Sequence, residues 1–157
     1  MKKLENFTWI YHKHFAEIEN HQLYKALKLR QDIFIIEQNC IYDDIDGLDQ
    51  NSEHLFLFDG DTLAGYLRIV PAGLKFETVS IGRIVIKESY RGRGMGKDLL
   101  KKSFDILRNS NRYMVTIEAQ KYLEHFYSLL GFKTISEPYD VDGISHIIMV
   151  TNLNEKI

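Results

Sequence analysis

Apolar residues recur at helical spacing in three segments of the chain, residues 21–36, 96–109 and 122–130. In the first segment Leu23, Leu27, Arg30 and Phe34 fall on one face, which predicts a helix that packs this face on a core. Gly131 directly follows the third segment, where a glycine in the left-handed conformation typically ends a helix. The pattern therefore predicts three helices, distributed along the chain rather than grouped at one end.

Shorter apolar runs bounded by turn residues predict seven strands. They cover residues 7–12, 54–58, 63–70, 79–87, 113–119, 132–136 and 144–151. Asp59-Gly60-Asp61 separates the second from the third and is typical of a hairpin turn. Because helices alternate with strands and strand pairs, the order favours a mixed α+β sheet over a sandwich or a helical bundle. Without a repeat or a linker, the chain is expected to form a single domain, residues 1–157, with a core of about residues 7–151.

The composition, 45% hydrophobic and 27% charged with a net charge of −2, is that of an ordinary globular protein. Both signs of charge are interspersed, so no overall field favours nucleic acid or an anionic membrane as a partner. The single cysteine, Cys40, excludes an intramolecular disulfide and a thiolate metal cluster, and we expect it to be a small buried residue. No apolar run is long enough to span a bilayer and no signal peptide is evident, which predicts a cytoplasmic protein.

The segment that carries most chemical information is the loop Arg91-Gly92-Arg93-Gly94-Met95-Gly96, directly before the second predicted helix. Alternate glycines let the backbone curl with its N–H groups inward, and the dipole of the helix adds positive charge there. Such a cradle binds a pyrophosphate, and Lys97 one turn further on would add a positive charge. The spacing is neither that of the dinucleotide-binding fingerprint nor that of the P-loop. The alternative is a tight strand-to-helix turn with solvated arginines.

Two motifs in the chain resemble those of the GNAT family of N-acetyltransferases. Arg91-x-x-Gly94-x-Gly96 resembles the coenzyme A-binding motif of that family, and Gln120-x-x-Leu123-x-x-Phe126-Tyr127-x-x-x-Gly131-Phe132 resembles its second cofactor motif. Many relatives carry Asn and Ala at the positions of Gln120 and Leu123, so the second match is incomplete. Residues 29–40, 45–49 and 142–147 are similar to the ElaA-like branch of the family.

The resemblance implies a fold and a set of roles. The fold is an α+β domain with a mixed, mostly antiparallel central sheet, helices on both faces and a splayed strand pair that holds the cofactor. Acetyl-CoA is the implied cosubstrate, with no metal. The implied contacts are the backbone of Ile84, Val85 and Ile86 with the pantetheine, residues 91 to 97 with the pyrophosphate, and Gln120 with the pantetheine arm. Tyr127 would lie near the sulfur and act as the general acid, or pack under the cofactor as a plain aromatic residue.

Acetylation of an amine requires a base, because a primary ammonium is mostly protonated at neutral pH. The candidates are Glu37, Glu118 and His146, with Asp46 and His54 behind them. Glu37 could equally be an exposed carboxylate or a cap, and His146 a structural residue of an apolar strand. The sequence leaves the choice of base open.

Arg83 interrupts an apolar strand, which predicts a carboxylate partner such as Glu37 or Asp46. The pair would be structural or would bind an acidic part of the acceptor, so Arg83, Asp46 and His54 are candidate acceptor-binding residues. The acidic run of residues 43–49 lacks the calcium-loop pattern and is interpreted as a solvated loop on the acceptor side. His12 and His14 alternate as a metal pair would, but no third ligand is evident.

The leading interpretation is an N-acetyltransferase that transfers an acetyl group from acetyl-CoA to a primary amine of a small molecule or protein, by direct attack. A non-catalytic acyl-CoA-binding sensor is the alternative, and a third possibility is an interaction domain in which the glycine loop is only a turn. The acceptor remains unidentified. Exposed edge strands would allow a homodimer.

Overall fold

The computed structural model describes residues 6–155, in which eight strands form one sheet. The strands are β1 (Thr8–His12), β2 (Glu53–Asp59), β3 (Thr62–Val70), β4 (Val79–Ile86), β5 (Met114–Gln120), β6 (Lys133–Thr134), β7 (Tyr139–Val141) and β8 (Ile144–Asn152). Their order is β1-β2-β3-β4-β5-β8-β6, with β7 also paired to β8. Among these pairs only β4 and β5 run parallel. The mixed, mostly antiparallel sheet predicted above is confirmed.

Helices cover both faces of this sheet. They are α1 (Asn20–Arg30), a π-helix (Gln31–Glu37), α2 (Met95–Asn109), α3 (Glu124–Ser128) and the single 3₁₀ turns Phe15–Glu17, Asp49–Asn51, Glu88–Tyr90 and Lys121–Leu123. Strand β2 separates the two cores by alternation. Leu55 and Leu57 pack in the core under α2 and α3, whereas Phe56 and Phe58 pack in the core under α1.

Strands β4 and β5 pair only at their starts and then separate. Val79 pairs with Val115 and Ser80 with Thr116, and no later pair joins the two strands within residues 6–155. Strand β4 also contains a β-bulge toward β3, next to Arg83, whose φ of 52° is left-handed. A bulge bends its strand and increases the local twist, which accounts for the divergence of β4 from β5. The splayed strand pair is thereby confirmed.

The first predicted helix differs from the observed one in its buried face and in its second half. The residues facing the core are Gln22, Ala26, Leu29 and Arg30, so the buried face lies one position before the predicted Leu23 and Leu27. Arg30 was predicted on the core-facing side and is buried, and its aspartate partners described below explain how a charged residue can lie there. From Gln31 the helix widens into a π-helix, in which the amide of Gln38 donates to the carbonyl oxygen of Ile33 at 3.0 Å.

The end of the chain is more broken than predicted. The third helix is a 3₁₀ turn followed by the short α3, and the strand predicted at residues 132–136 spans only Lys133–Thr134. Gly131 has a φ of 96° and ends this helical segment as expected. Strand β7 was not predicted, although Asp142-Gly143, with φ values of 51° and 85°, is a turn pair typical of a tight hairpin with β8.

Candidate active site

A cavity of about 510 Å³ opens where β4 and β5 diverge. The π-helix, the 3₁₀ turn Lys121–Leu123, Tyr127 of α3 and the β7–β8 hairpin complete its walls. The predicted site residues that line it are Glu37, Arg83, Ile84, Val85, Ile86, Arg91, Glu118, Gln120, Tyr127 and His146. Donor-side and base candidates, which are far apart in sequence, thus meet in one space.

The glycine loop adjoins this cavity through Arg91. Gly92 and Gly94 have φ values of 77° and 76°, and a Cβ atom on either would meet no protein atom within 4 Å. The amides of residues 92–97 find no acceptor among residues 6–155, and Gly94 caps α2 without a side chain. A glycine-lined loop with free amides at the start of a fifteen-residue helix fits a pyrophosphate. Met95 is 2% exposed, so it can contribute only its backbone.

Arg91 is joined to the opposite wall by Glu37, at the end of the π-helix. The Arg91 guanidinium donates through Nη1 and Nη2 to the two carboxylate oxygens, each at 2.7 Å. These hydrogen bonds hold the pKa of Glu37 below its usual range. Glu37 is therefore engaged with the donor loop, and the predicted pairing of Arg83 with Glu37 is wrong.

Tyr127 of α3 is 7% exposed and packs edge-on against Phe126 and Phe132. Its hydroxyl has no hydrogen-bond partner within residues 6–155, while the side chain lines the cavity. Burial raises the pKa of Tyr127 above its ordinary value, so the phenol stays protonated at neutral pH. The cavity thus contains a neutral hydroxyl free to donate a proton.

Glu118 of β5 lies among three polar side chains. The Tyr139 hydroxyl donates to Glu118 Oε2 at 2.7 Å, and Lys75 Nζ lies 3.3 Å from Oε1. Burial alone would raise the pKa of Glu118, but Tyr139 and Lys75 outweigh it and hold the pKa below its usual range. Glu118 is therefore ionised at neutral pH, suited to holding a cation and a weak proton acceptor.

His146 of β8 is oriented by its own backbone. Its Nδ1 lies 2.7 Å from the carbonyl oxygen of Ile144, which can only accept a hydrogen bond. Nδ1 is thereby assigned as the protonated nitrogen, and in the neutral ring Nε2 is the proton acceptor. Of the three base candidates, His146 is the one whose accepting atom is left free by this geometry.

Gln120, at the end of β5, reaches across the cavity. Its Nε2 donates to Gln38 Oε1 at 3.2 Å, just beyond the π-helix. This contact joins the two walls. The predicted contact of Gln120 with the pantetheine arm stays a prediction, since it requires the two amides to separate.

A buried ionic cluster fixes the loop between the π-helix and β2. This arginine–aspartate cluster consists of Arg30, Arg68, Arg83, Asp44, Asp46 and Asp49. Asp49 Oδ1 accepts from Arg30 at 2.8 Å and from Arg68 at 3.0 Å, and both arginines are 1% exposed. The interpretation of residues 43–49 as a solvated loop is therefore wrong at Asp44 and Asp49, each 5% exposed.

Arg83 connects this cluster to the cavity. Its Nε lies 2.8 Å from Asp44 Oδ1, and its Nη2 donates to Asp46 Oδ2 at 3.2 Å, which confirms the predicted partner Asp46. Its guanidinium also lies over the ring of Tyr42, 5.5 Å from the centroid. Arg83 thus lines the cavity with its charge already balanced.

Two of the proposed acceptor-binding residues lie outside the cavity. His54 is 1% exposed, with Nδ1 2.6 Å from the Tyr66 hydroxyl and Nε2 2.9 Å from the carbonyl oxygen of Asp49. Burial lowers its pKa, so it is a neutral core residue that no acceptor can reach. Both carboxylate oxygens of Asp46 accept hydrogen bonds from the Arg68 guanidinium, at 2.8 and 2.9 Å. Its role is to anchor the loop.

Sequence reasoning missed several residues that line the cavity. They are Gln38, Tyr42, Lys75 and Asp142, with Tyr139 behind Glu118. Lys75 lies in an irregular loop between β3 and β4, where no periodicity gives a side chain a direction. Cys40 is 8% exposed, as expected, and its thiol donates to the carbonyl oxygen of Asp142 at 3.4 Å.

The surroundings of His12 and His14 do not favour a metal site. His12 Nε2 lies 2.8 Å from Gln22 Oε1, and His14 falls beyond the end of β1. Between residues 6 and 155 no group of three His, Cys, Asp or Glu side chains could hold a metal ion. No helix in the same part of the chain is long and apolar enough to cross a membrane.

The fold and this site together place the chain among the acyltransferases. A model of the acetyltransferase (GNAT) domain matches residues 21–153, and the chain belongs to that family. Protein ElaA of Escherichia coli is 37% identical over 139 residues, which cover 87% of this chain and 91% of ElaA. The predicted similarity to the ElaA-like branch is confirmed.

Solved structures agree with this assignment. The crystal structure of Escherichia coli ElaA matches with a TM-score of 0.85 at 35% identity, over 93% of this chain and 99% of ElaA. An acyl-CoA N-acyltransferase from Pseudomonas aeruginosa matches with a TM-score of 0.86 at 33% identity, over 92% and 99% of the two chains. A GNAT family acetyltransferase from Elizabethkingia anophelis, solved with acetyl-CoA bound, shares the fold with a TM-score of 0.64 at 19% identity, over 94% and 99%.

Proposed function

We propose that the protein is an N-acetyltransferase that transfers an acetyl group from acetyl-CoA to a primary amine of a small molecule or protein. One observation carries the proposal: the cavity between β4 and β5 joins an unpaired strand edge, a pyrophosphate-sized cradle and an isolated phenol. The first two would hold the two parts of the donor, and the phenol would supply a proton to the leaving thiolate. We take the attack to be direct, within a ternary complex, because the one thiol in the cavity lining, Cys40, is 8% exposed and donates to the carbonyl oxygen of Asp142.

The donor would be held mainly by backbone groups. Acetyl-CoA supplies an activated thioester on a pantetheine arm. The edge of β4 from Ile84 to Ile86 faces the opening without a strand partner on the β5 side, so it can pair with the amides of that arm. The free amides of residues 92–97 then hold the pyrophosphate, with Arg91, Arg93 and Lys97 adding positive charge.

The acceptor would bind on the side of β5 and β8. The Glu118 carboxylate, ionised at neutral pH, holds the ammonium by charge. His146 Nε2 takes the proton that the amine must lose before it attacks. Glu118 therefore binds the acceptor, and His146 removes its proton.

The remaining two tasks fall on Val85 and Tyr127. The backbone N–H near Val85, beside the bulge, donates to the oxygen that gains charge during the transfer. The protonated Tyr127 hydroxyl donates its proton to the departing sulfur. The presence of groups for acceptor binding and proton transfer favours a catalyst over a sensor, because a sensor would need the donor site alone.

The test combines calorimetric titration with a thiol-release assay. Coenzyme A, dephospho-coenzyme A and acetyl-CoA are titrated into the purified protein, and free thiol is followed with a panel of primary amines. We expect saturable binding of acetyl-CoA and amine-dependent release of thiol. His146→Gln should lower kcat at an unchanged donor Kd, and Glu118→Gln should mainly raise the KM of the amine. Binding without thiol release for any amine supports the sensor, and absence of binding refutes the proposal.

A further inference from the structure

One lysine lies inside the cavity. Of the lysines between residues 6 and 155, Lys75 is the one that lines it, and its Nζ lies 3.3 Å from Glu118 Oε1. The two side chains are 31% and 24% exposed, so the contact lies at the solvent-accessible mouth of the cavity. Lys75 ends in a primary alkylammonium, the same chemical group as the proposed acceptor. It already pairs with the Glu118 carboxylate that would hold the acceptor.

The position of Lys75 in the fold allows its side chain to move. It belongs to the irregular segment of residues 71–78, which joins β3 to β4 and reaches the end of β4 that still pairs with β5. The two backbone hydrogen bonds that form within this segment run from Gly73 to Phe76 and from Leu74 to Pro71, at 2.7 and 3.4 Å. In the same position Lys75 Nζ lies 5.7 Å from the centroid of the Phe76 ring, so the cation contacts this ring as well as Glu118.

We propose that Lys75 is a self-acetylation site, acylated within its own chain from the donor bound between β4 and β5. The inference rests on the proposed acetyltransferase function. Lys75 Nζ leaves the Glu118 carboxylate and loses one proton to Nε2 of His146, the base assigned above, directly or through water. The nitrogen lone pair then forms a bond to the acyl carbon, and the nitrogen loses its second proton to water to give the neutral amide. The carbon–sulfur bond of the thioester breaks, and the sulfur leaves as a thiolate that takes a proton from Tyr127 or from water.

The same contact defines the acceptor class. An external acceptor must replace Lys75 at Glu118, so it carries a primary ammonium at the end of a flexible chain, as Lys75 does. The acetylated side chain is neutral and can no longer pair with Glu118, which frees this carboxylate for the external amine. Self-acetylation of Lys75 thus precedes acetylation of the external amine or competes with it, because both amines bind at Glu118.

The test measures acetylation of each lysine by peptide mass spectrometry after incubation of the full chain with acetyl-CoA. Lys28 is the matched control, since it makes the same kind of ion pair, 2.9 Å from Asp32, outside the cavity. Because a bound donor acts at high effective concentration, we expect Lys75 to react at least about 10-fold faster than Lys28. The rate constant should not depend on protein concentration, and Gly94→Leu, which fills the pyrophosphate cradle, should lower the rate at Lys75 to that at Lys28.

A second readout needs no transfer. Coenzyme A without an acyl group should protect Lys75, but not Lys28, from a small amine-reactive reagent. Bound coenzyme A would fill the cavity through which the reagent reaches Lys75. Equal acetylation of the two lysines overturns the inference, as does a rate that rises with protein concentration. If free amines are acetylated while Lys75 stays unmodified, the inference fails and the proposed function stands. If neither is acetylated, both fail.

Discussion

The glycine loop gives the sharpest test of where the donor binds, through the single change Gly94→Ala. Gly94 has a φ of 76°, and a Cβ there meets no protein atom within 4 Å, so the substitution causes no clash in the unliganded chain. Its cost to folding is the left-handed backbone of an L-residue, roughly 1–2 kcal/mol. For a domain of this size this lowers the Tm by about 2–8 °C.

Gly73→Ala is the matched control. Gly73 has a φ of 91° and equally open surroundings, but it precedes β4, whereas the glycine loop follows it. The two variants should therefore lose similar stability, and only Gly94→Ala should lose donor affinity. The Cβ added by Gly94→Ala should keep the pyrophosphate away from one amide of the loop. Loss of that hydrogen bond to a charged group, about 1.5–3 kcal/mol, weakens binding roughly 10- to 100-fold.

Thermal unfolding with coenzyme A measures both effects at once. At a ligand concentration of 100 times the Kd, binding stabilises a protein by about 2.7 kcal/mol. At that concentration Gly94→Ala, with its weaker Kd, should gain only about 0.4–1.4 kcal/mol, while Gly73→Ala gains the full amount. Equal ligand-induced shifts in the two variants would refute the assignment of this loop as the pyrophosphate site.

Tyr127→Phe should lower kcat at least about tenfold at an unchanged donor Kd, because it removes only the hydroxyl proton; an unchanged kcat would assign Tyr127 to packing. Asp49→Asn should reduce the free energy of unfolding by about 3–5 kcal/mol, since it leaves Arg30 and Arg68 in excess at a buried site. The control Asp105→Asn, at an exposed pair, should change it by less than about 0.5 kcal/mol in chemical denaturation. Burial alone would raise the pKa of Asp49, but its arginine partners lower it on balance, so its contribution is complete above the unfolded pKa of about 4 and declines as the pH falls below it. Unfolding measured at several pH values should show this decline in the wild type and a weaker one in Asp49→Asn, and identical profiles would contradict it.

Most of the fold could be predicted because its strands and long helices bury regular apolar patterns. The strands of the hairpin around Gly60 are apolar runs buried at nearly every position, and α2 shows a continuous apolar face. The shift in the buried face of α1 was not predictable from hydrophobicity, because Gln22 is buried against His12 and Arg30 is buried among its aspartate partners. Those partners come from a loop whose path no local pattern determines.

The candidate site was predictable on the donor side and not on the acceptor side. The glycine loop is one contiguous motif, and its backbone geometry follows from the conformational freedom of its own glycines. It could therefore be recognised from the sequence alone. By contrast, the surroundings of Glu118 come from Lys75, Tyr139 and His146, which approach from separate segments. Their meeting depends on the divergence of β4 from β5 and on the unpredicted β7.

The short seam between β4 and β5 has a consequence for motion. Within residues 6–155 two residue pairs join the parallel strands at the middle of the sheet, so β1–β4 and β5–β8 are held together mainly by the core under α2 and α3. A donor bound along the free edge of β4 would serve as the missing interstrand connection. Amide hydrogen exchange along Ile84–Ile86 should therefore slow when coenzyme A binds, and the ligand would complete the sheet that the chain alone leaves open.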